Sequence, residues 1–374
     1  MNHPLFLHGL YGSVLLTALL CSIACTRWSL ALSVRYGAFE TPGPRKIHNI
    51  QIPNLGWIGI LLGAFLPLLV VGIIDFYAKF MVKVGNPYVD GMLKKMPVMA
   101  GIALGGFLSI LVGWLDDRKK LLPAWKIVSQ ILLALLLCAL GVRLTLFASL
   151  GVGVLATIVW VLCVMNAFNI LDNLDGSCAG VAMIACGLFL FVAAWLGQYF
   201  ICLLLVVFLG ALGGFLVFNF PPAKLFMGNA GSFFVGYMIS ALTILETFYT
   251  KRAPTHLAVV MPILLLAVPM YDTTSVILIR LKRKVPISRG DTNHFSHRLL
   301  RSGLSARQAV LVIYGITLLA GIGALFLPFV GARAATMILM ACVGLLVCLG
   351  LWEWRTHVRR PLLEAEGCGK PISE

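Results

Sequence analysis

The stretch GVGVLATIVWVLCVMNAFNILDNLDG, residues 151–176, begins as hydrocarbon and ends as oxygen. Residues 151–166 form an apolar run suited to a bilayer, and the segment that follows supplies Asn166, Asn169, Asp172, Asn173 and Asp175. A carboxylate beside hydrocarbon is costly, so carboxylates gathered at the end of such a run point to chemistry. The spacing of three predicts that Asn169, Asp172 and Asp175 lie near one another on a helical turn. Helix capping explains one or two of these residues, not five. The same pattern occurs at Asp116-Asp117, so two close pairs at the ends of apolar runs hold four of the 14 acidic residues.

Outward from these pairs the chain stays apolar. Hydrophobic residues make up 60% of it and charged ones 11%, with a mean hydropathy of +0.98, which places it among polytopic membrane proteins and outside soluble globular domains. Apolar runs occur near residues 8–31, 55–74, 97–115, 124–141, 151–166, 179–197, 199–219, 230–249, 256–281, 307–328 and 333–352. They predict an all-α, polytopic integral membrane protein of about eleven transmembrane helices. One transmembrane domain is expected over residues 1–360, with a short cytoplasmic tail over 361–374.

Loop charge orients the chain. With the N-terminus outside and the C-terminus cytoplasmic, the 29 Lys and Arg divide about 21 to 8 in favour of the cytoplasmic side. Half of the outer total falls in residues 75–96, which read as an interfacial strip and not as a span. The net charge of +15 belongs mostly to loops facing anionic lipid head groups, so nucleic acid is not an expected partner. The ten cysteines include no Cys-x-x-Cys pair and read as small core residues.

Five polar segments fall on the cytoplasmic side in that topology. The first, Pro42-Gly43-Pro44-Arg45-Lys46-Ile47-His48, offers phosphate contacts through Lys46 and His48. The second holds Asp116, Asp117 and, beyond Pro123, Lys126; adjacent carboxylates in a partly dehydrated site need a cation or a shared proton. The third is the Asn166–Gly176 segment, whose hard oxygens suit Mg²⁺. The fourth runs from Asn219 through Lys224 to Gly228-Asn229-Ala230-Gly231-Ser232, where a helix start presents free N–H groups to an anion. The fifth, from Arg280 to Arg301, carries His294, His297 and Arg298 among several cations, a setting for a diphosphate or a sugar. Asp272, inside the preceding span, requires a polar partner there.

Taken in order, these segments resemble the polyprenyl-phosphate N-acetylhexosamine-1-phosphate transferase family, glycosyltransferase family 4. The resemblance rests on the Arg-Lys-x-His loop, Asp116-Asp117-Arg118, Asn166-x-x-Asn169-x-x-Asp172-x-x-Asp175-Gly176, Asn219-Phe-Pro-Pro-Ala-Lys224 through Phe226-Met-Gly228-x-x-Gly231-Ser232, and His294-x-x-His297-Arg298-Leu299. It covers nearly the whole chain and looks most like the bacterial branch acting on undecaprenyl phosphate. Three positions depart from the family pattern. Ser296 stands for the middle histidine of the last loop, Asn229 for an Asp that binds Mg²⁺, and Asn173 and Ser177 for a Gly and a Leu around Asp175.

The resemblance implies a Mg²⁺-dependent enzyme, with Mn²⁺ as an alternative metal, in the bacterial inner membrane with its site facing the cytoplasm. It would transfer N-acetylhexosamine-1-phosphate, GlcNAc-1-phosphate first among the choices, from a UDP-N-acetylhexosamine to undecaprenyl phosphate. UMP would leave and lipid-linked cell-envelope polysaccharide synthesis would begin. Asp116, Asp117, Asp172 and Asp175 are the implied catalytic residues, with Asp117 or Asp116 taking or positioning a proton of the lipid phosphate. Asn169 and Asn229 are the implied metal-side ligands; Lys46, His48, Lys126, His294, His297 and Arg298 are the implied substrate contacts. Membrane lipids are partners in any case, and a homodimer is left open. Two rival classes remain at this level: a transporter, since buried charges also mark ion pathways, and a relative that binds polyprenyl phosphate without catalysis.

Overall fold

Every one of these apolar runs forms helix. The computed structural model describes residues 3–40, 51–77, 95–146, 149–246, 255–286 and 293–353. In chain order the helices are α1 (His3–Tyr36), α2 (Trp57–Tyr77), α3 (Met96–Lys119), α4 (Pro123–Ala139), α5 (Leu150–Leu171), α6 (Ser177–Trp195), α7 (Tyr199–Asn219), α8 (Gly228–Leu245), α9 (Met261–Leu265), α10 (Ala267–Lys282), α11 (Phe295–Arg301), α12 (Ala306–Leu325) and α13 (Ala332–Glu353). A 3₁₀ turn, His256–Val260, leads into α9. The extended structure among the described residues is one antiparallel pair, β1 (Phe39–Glu40) with β2 (Ile52–Pro53).

The protein is thus an all-α polytopic membrane protein. Eight of the described helices are long and apolar enough to cross a bilayer, and nine spans result if the pair bent by 70° between Leu265 and Ala267 counts as one. Two shorter apolar helices, Trp57–Ile73 and Pro123–Ala139, account for the remaining runs. The strip proposed at residues 75–96 and the tail at 361–374 lie mostly or wholly outside the described residues.

The interior is built by α6, α7 and α8. The α8 face from Phe233 to Ile244 is buried almost without interruption, so this helix has no lipid-facing side and reads as apolar all round. Around it pack α3 and α5, while α1 and α2 lie against α7. At the other extreme, α13 buries little beyond Ala335, Cys342 and Glu353 and leaves Met337, Met340 and Val347 exposed, as expected of a helix facing lipid tails.

Small residues set how closely the central helices approach. A Cβ at Gly113 of α3 would lie 2.4 Å from the carbonyl oxygen of Asn229 and 2.5 Å from Cα of Ala230. These are backbone atoms of α8 and cannot rotate away, so Gly113→Ala forces the two helices apart. Overpacking of this kind costs about 1–3 kcal/mol. The variant is therefore expected to unfold at a lower temperature in detergent than the parent protein, with its activity reduced alongside; an unchanged unfolding midpoint would count against this packing.

At the far end of α8 from Gly228, Glu246 is buried at 4% exposure, and neither carboxyl oxygen has a hydrogen-bond partner.

Candidate active site

Polar residues converge where α3 and α5 end and α4 and α8 begin. Asp116, 3% exposed, is fully engaged. Its Oδ1 accepts from the backbone N–H of Leu121 at 3.0 Å. Its Oδ2 meets Lys126 Nζ at 2.7 Å and accepts from Asn229 Nδ2 at 3.0 Å. The Asn229 carboxamide continues the chain, its Oδ1 accepting from Asn169 Nδ2 at 2.9 Å; Asn169 also donates to Ser232 Oγ at 3.0 Å. Segments distant in sequence are thereby joined in one polar string, Lys126–Asp116–Asn229–Asn169.

Asp117 is placed differently. It is open to solvent, and its oxygens accept only long bonds, from the backbone N–H groups of Asn229 at 3.2 Å and Ala230 at 3.3 Å. These are the free donors of the first turn of α8, the anion-binding feature expected for that segment, here turned toward a carboxylate of the protein itself. Gly228, at φ +66, makes the approach feasible: a Cβ there would lie 2.8 Å from Asp117 Oδ2, and the left-handed backbone favours glycine.

The third segment departs from the expected helical turn. Helix α5 ends at Leu171 with Asp172 as its C-cap, so Asn166 and Asn169 are helical while Asp172 and Asp175 are not. Long-range contacts end the helix. Asp175 Oδ2 accepts from Ala223 N–H at 2.9 Å, Gly176 N–H donates to Asn219 Oδ1 at 3.0 Å, and the Tyr314 hydroxyl donates to the Gly176 carbonyl at 2.7 Å. Asp175 is thus tied to the fourth segment. The Asp172 N–H donates to the Phe168 carbonyl at 3.2 Å, but its carboxyl group has no hydrogen-bond partner among the described residues. Burial, with the negative charges of Glu40, Asp117 and Asp175 in reach, holds its carboxyl well above the usual range.

The fifth segment docks on the same turn. Ser296 Oγ donates to Asn173 Oδ1 at 2.6 Å. His294, 8% exposed, has its Nδ1 3.5 Å from Asp272 Oδ2, and Asp272 Oδ1 accepts from Phe295 N–H at 2.6 Å. The polar partner required by Asp272 is therefore the start of α11. His294 and His297 stand with ring centroids 6.1 Å apart. Arg298 faces elsewhere: its Nε donates to Glu353 Oε1 at 2.8 Å and its Nη2 to Ser275 Oγ at 2.9 Å, while Nη1 donates to the Asn293 carbonyl. Its guanidinium is thus held by protein partners through all three nitrogens.

Of the first segment, Lys46 and His48 lie outside the described residues. The chain that follows, from Ile52 to Gly56, joins the site, since Phe226 N–H donates to the Pro53 carbonyl at 2.8 Å and Gly56 N–H to the Phe226 carbonyl at 2.9 Å.

Residues 99–247, from α3 through α8, match the family described as Glycosyl transferase family 4. A Bacillus subtilis (strain 168) protein described as a probable undecaprenyl-phosphate N-acetylglucosaminyl 1-phosphate transferase is 33% identical over 305 residues, covering 79% of each chain. The chain belongs to glycosyl transferase family 4. Similarity extends to a decaprenyl-phosphate N-acetylglucosaminephosphotransferase of Mycolicibacterium smegmatis, 31% identical over 329 residues and covering 80% of this chain and 77% of that one. It also extends to an undecaprenyl-phosphate alpha-N-acetylglucosaminyl 1-phosphate transferase of Escherichia coli (strain K12), 26% identical over 308 residues, covering 78% and 77%.

For this member of glycosyl transferase family 4, fit to a divalent cation can be judged from the donors present. Among the described residues no three His, Cys, Asp or Glu side chains form a cage. Mg²⁺ does not need one: it retains waters and takes one or two carboxylates plus substrate phosphate oxygens. An Asp172 carboxylate without a partner, crowded by other negative charges, beside the amide oxygens of Asn169 and Asn229, fits that description.

The sequence reading missed three residues. Gln130, fully buried, exchanges hydrogen bonds with Asn166 at 2.6 and 3.5 Å and lies one turn after Lys126 on α4, a spacing that would have flagged it. Of these, Ser232 reads from sequence only as part of a helix start and not as the acceptor for Asn169; Glu353 ends an apolar run, the same signal that singled out Asp116.

Proposed function

We propose that the protein transfers N-acetylhexosamine-1-phosphate, GlcNAc-1-phosphate in the first instance, from a UDP-sugar to undecaprenyl phosphate at the cytoplasmic face of a bacterial inner membrane. The observation that carries this reading is the polar string Lys126–Asp116–Asn229–Asn169 with Asp117 and Asp172 beside it. It gathers a phosphate-binding cation, a solvent-facing carboxylate and a cation-seeking carboxylate at one place. Eleven spans, with the N-terminus outside, are supported by the distribution of Lys and Arg, and require that the bent pair and the two shorter apolar helices cross the bilayer as well as the eight long ones among the described residues.

Two anions must meet. An oxygen of the lipid phosphate attacks the β-phosphorus of the donor, a new phosphoanhydride bond forms, and the bond to the α-phosphate breaks with UMP as the leaving group. Positioning and charge neutralisation dominate such transfers. Lys126, held in place by Asp116, offers its ammonium group to phosphate oxygens. Asp117 is the better of the two adjacent carboxylates for accepting or holding the lipid phosphate proton, because every oxygen of Asp116 is already engaged and Asp117 is open. Asp175 fixes the turn on which Asp172 sits. Mg²⁺, held by Asp172, Asn169 and Asn229, would supply positive charge to the diphosphate when bound.

Asn229 gives this proposal a quantitative edge. A neutral amide coordinates with less electrostatic pull than a carboxylate, and here its Nδ2 also donates to Asp116. Asn229→Asp removes that donor and sets a second carboxylate against Asp116, so the variant should need a cation to stay folded. It is expected to lower the half-saturating Mg²⁺ concentration by about tenfold and to gain more thermal stability from Mg²⁺ than the parent. Identical metal titrations in both readouts would contradict the assignment.

The reading is tested in purified membranes supplied with labelled UDP-GlcNAc and undecaprenyl phosphate. Lipid-linked label with UMP release supports transfer, uptake into sealed vesicles would mean a carrier, and binding without either would mean a non-catalytic relative.

A further inference from the structure

A carboxamide pair lies beneath the polar string, one turn further into the helical bundle. Gln130 follows Lys126 by four residues on α4 and Asn166 precedes Asn169 by three on α5, so each amide shares a helix face with a member of the string. Asn166 Nδ2 donates to Gln130 Oε1 at 2.6 Å and to the Leu162 carbonyl at 2.8 Å, and Gln130 Nε2 lies 3.5 Å from Asn166 Oδ1. This contact closes a ring. From Lys126 on α4 the string passes to Asp116 on α3, Asn229 on α8 and Asn169 on α5, and the Asn166–Gln130 bond returns it from α5 to α4.

Stability alone does not account for the pair. The buried face of α4 consists of Gln130, Leu133, Ala134 and Leu137, and a leucine in place of the fully buried Gln130 would extend its apolar part. Replacing both partners of a buried hydrogen bond with apolar groups of similar shape is often nearly neutral, and hydrogen bonds between helices in lipid add little net stability. An apolar face does not fix register. Contacts of Leu and Ala survive a small slide or rotation, whereas paired amides accept one alignment, as a single buried Asn does in a coiled coil at a cost in stability. The alignment matters for Lys126, which comes from α4 while Asp116, Asn229 and Asn169 come from three other helices.

We infer that Gln130 and Asn166 are positioning residues that lock the register of α4 against α5 and so hold the Lys126 ammonium in line with Asp116 and Asn169. The task of Lys126 rests on the transfer reading; the alignment does not. Neither amide touches substrate in this account, and both act through Lys126.

Steady-state UMP release by the purified full chain with UDP-GlcNAc and undecaprenyl phosphate tests the pair. Gln130→Leu with Asn166→Leu is expected to unfold in detergent at or above the parent's midpoint, yet to turn over about tenfold more slowly, since small misplacements of a positioned group are costly. KM for UDP-GlcNAc should stay within about threefold, because the loss falls on charge neutralisation in the transition state. A kcat within about twofold of the parent would make the pair merely structural and overturn the inference.

An exchange of partners carries the test if the leucine pair folds poorly. Gln130→Asn alone shortens one side chain and should slow turnover about tenfold, whereas Gln130→Asn with Asn166→Gln keeps both amides and their combined length and should return to within about threefold of the parent. An exchanged pair as slow as the single variant overturns the inference. Alignment also has a readout apart from activity: the rate at which an amine-acylating reagent modifies Lys126, relative to exposed Lys120 in the same molecule. Freed from its hold on Asp116, Lys126 should react about fivefold faster in the leucine pair, and an unchanged ratio overturns the inference. A parent protein that transfers nothing sinks the transfer reading, and the acylation ratio still decides the alignment.

Discussion

Asp117→Asn and Asp172→Asn are each expected to lower UMP release by about 10³-fold, within the range that a positioned acid or base contributes, while leaving the protein inserted and folded. The two losses have different causes. At Asp117 the amide keeps the shape and retains an oxygen for the N–H groups of Asn229 and Ala230, but it cannot take a proton or hold one in place. At Asp172 the change removes the carboxylate that lacks a protein partner, and with it the strongest anionic ligand for a cation. The Asp172 variant should therefore lose Mg²⁺ stabilisation in a thermal unfolding assay, and the Asp117 variant should keep it. Because neutral Asn relieves the crowding around Asp172, its cation-free unfolding midpoint should not fall. Wild-type turnover by either purified variant would refute the role given to that residue.

The second large effect is on stability. Arg298 and Glu353 form a buried ion pair, with side-chain exposures of 4% and 6%, and the Tyr271 hydroxyl donates to the other carboxylate oxygen. The pair fastens the end of α13 to α11, the short helix that carries His297 and is capped by His294. Glu353→Ala leaves a buried guanidinium without its counter-charge, a change that costs about 3–5 kcal/mol. The unfolding midpoint in detergent should drop sharply. Replacing both partners with leucine should recover most of that loss, because a buried ion pair is often no more stabilising than an apolar pair of similar volume. The double variant is still expected to turn over slowly, since α11 loses its anchor. If the double variant is as unstable as the sum of the two single ones, the pair is not the clamp described here.

Much of this was legible in the chain because hydrophobic length is a local signal. A run such as Tyr199–Asn219 needs no partner to identify itself as a helix, and a carboxylate at the end of such a run identifies itself by its cost. What lay between elements was less visible. The Asn169-x-x-Asp172-x-x-Asp175 spacing suggested a continuous helical face, yet the helix ends at Leu171 because Asn219, Ala223 and Tyr314, all remote in sequence, hold the turn around Gly176. Arg298 sits in a basic loop, its partner Glu353 is 55 residues away, and no periodicity links the two. Gln130 was hidden for the same reason, since a polar residue on an apolar helix announces a need for a partner without naming it. Convergence of the polar segments, by contrast, followed from assigning them to one side of the membrane, and the bonds between Asp116 and Asn229, Asn229 and Asn169, and Ser296 and Asn173 bring four of the five together.

The central claim is that a phosphosugar, and not a sugar alone, passes to the lipid at this site. The most direct measurement uses UDP-GlcNAc carrying one isotope in the β-phosphate and another in the sugar, incubated with the purified protein, Mg²⁺ and undecaprenyl phosphate. Both isotopes should appear in the lipid in their starting ratio, with one UMP released for each lipid labelled. Sugar label in the lipid without the phosphate label, accompanied by UDP, would contradict the account.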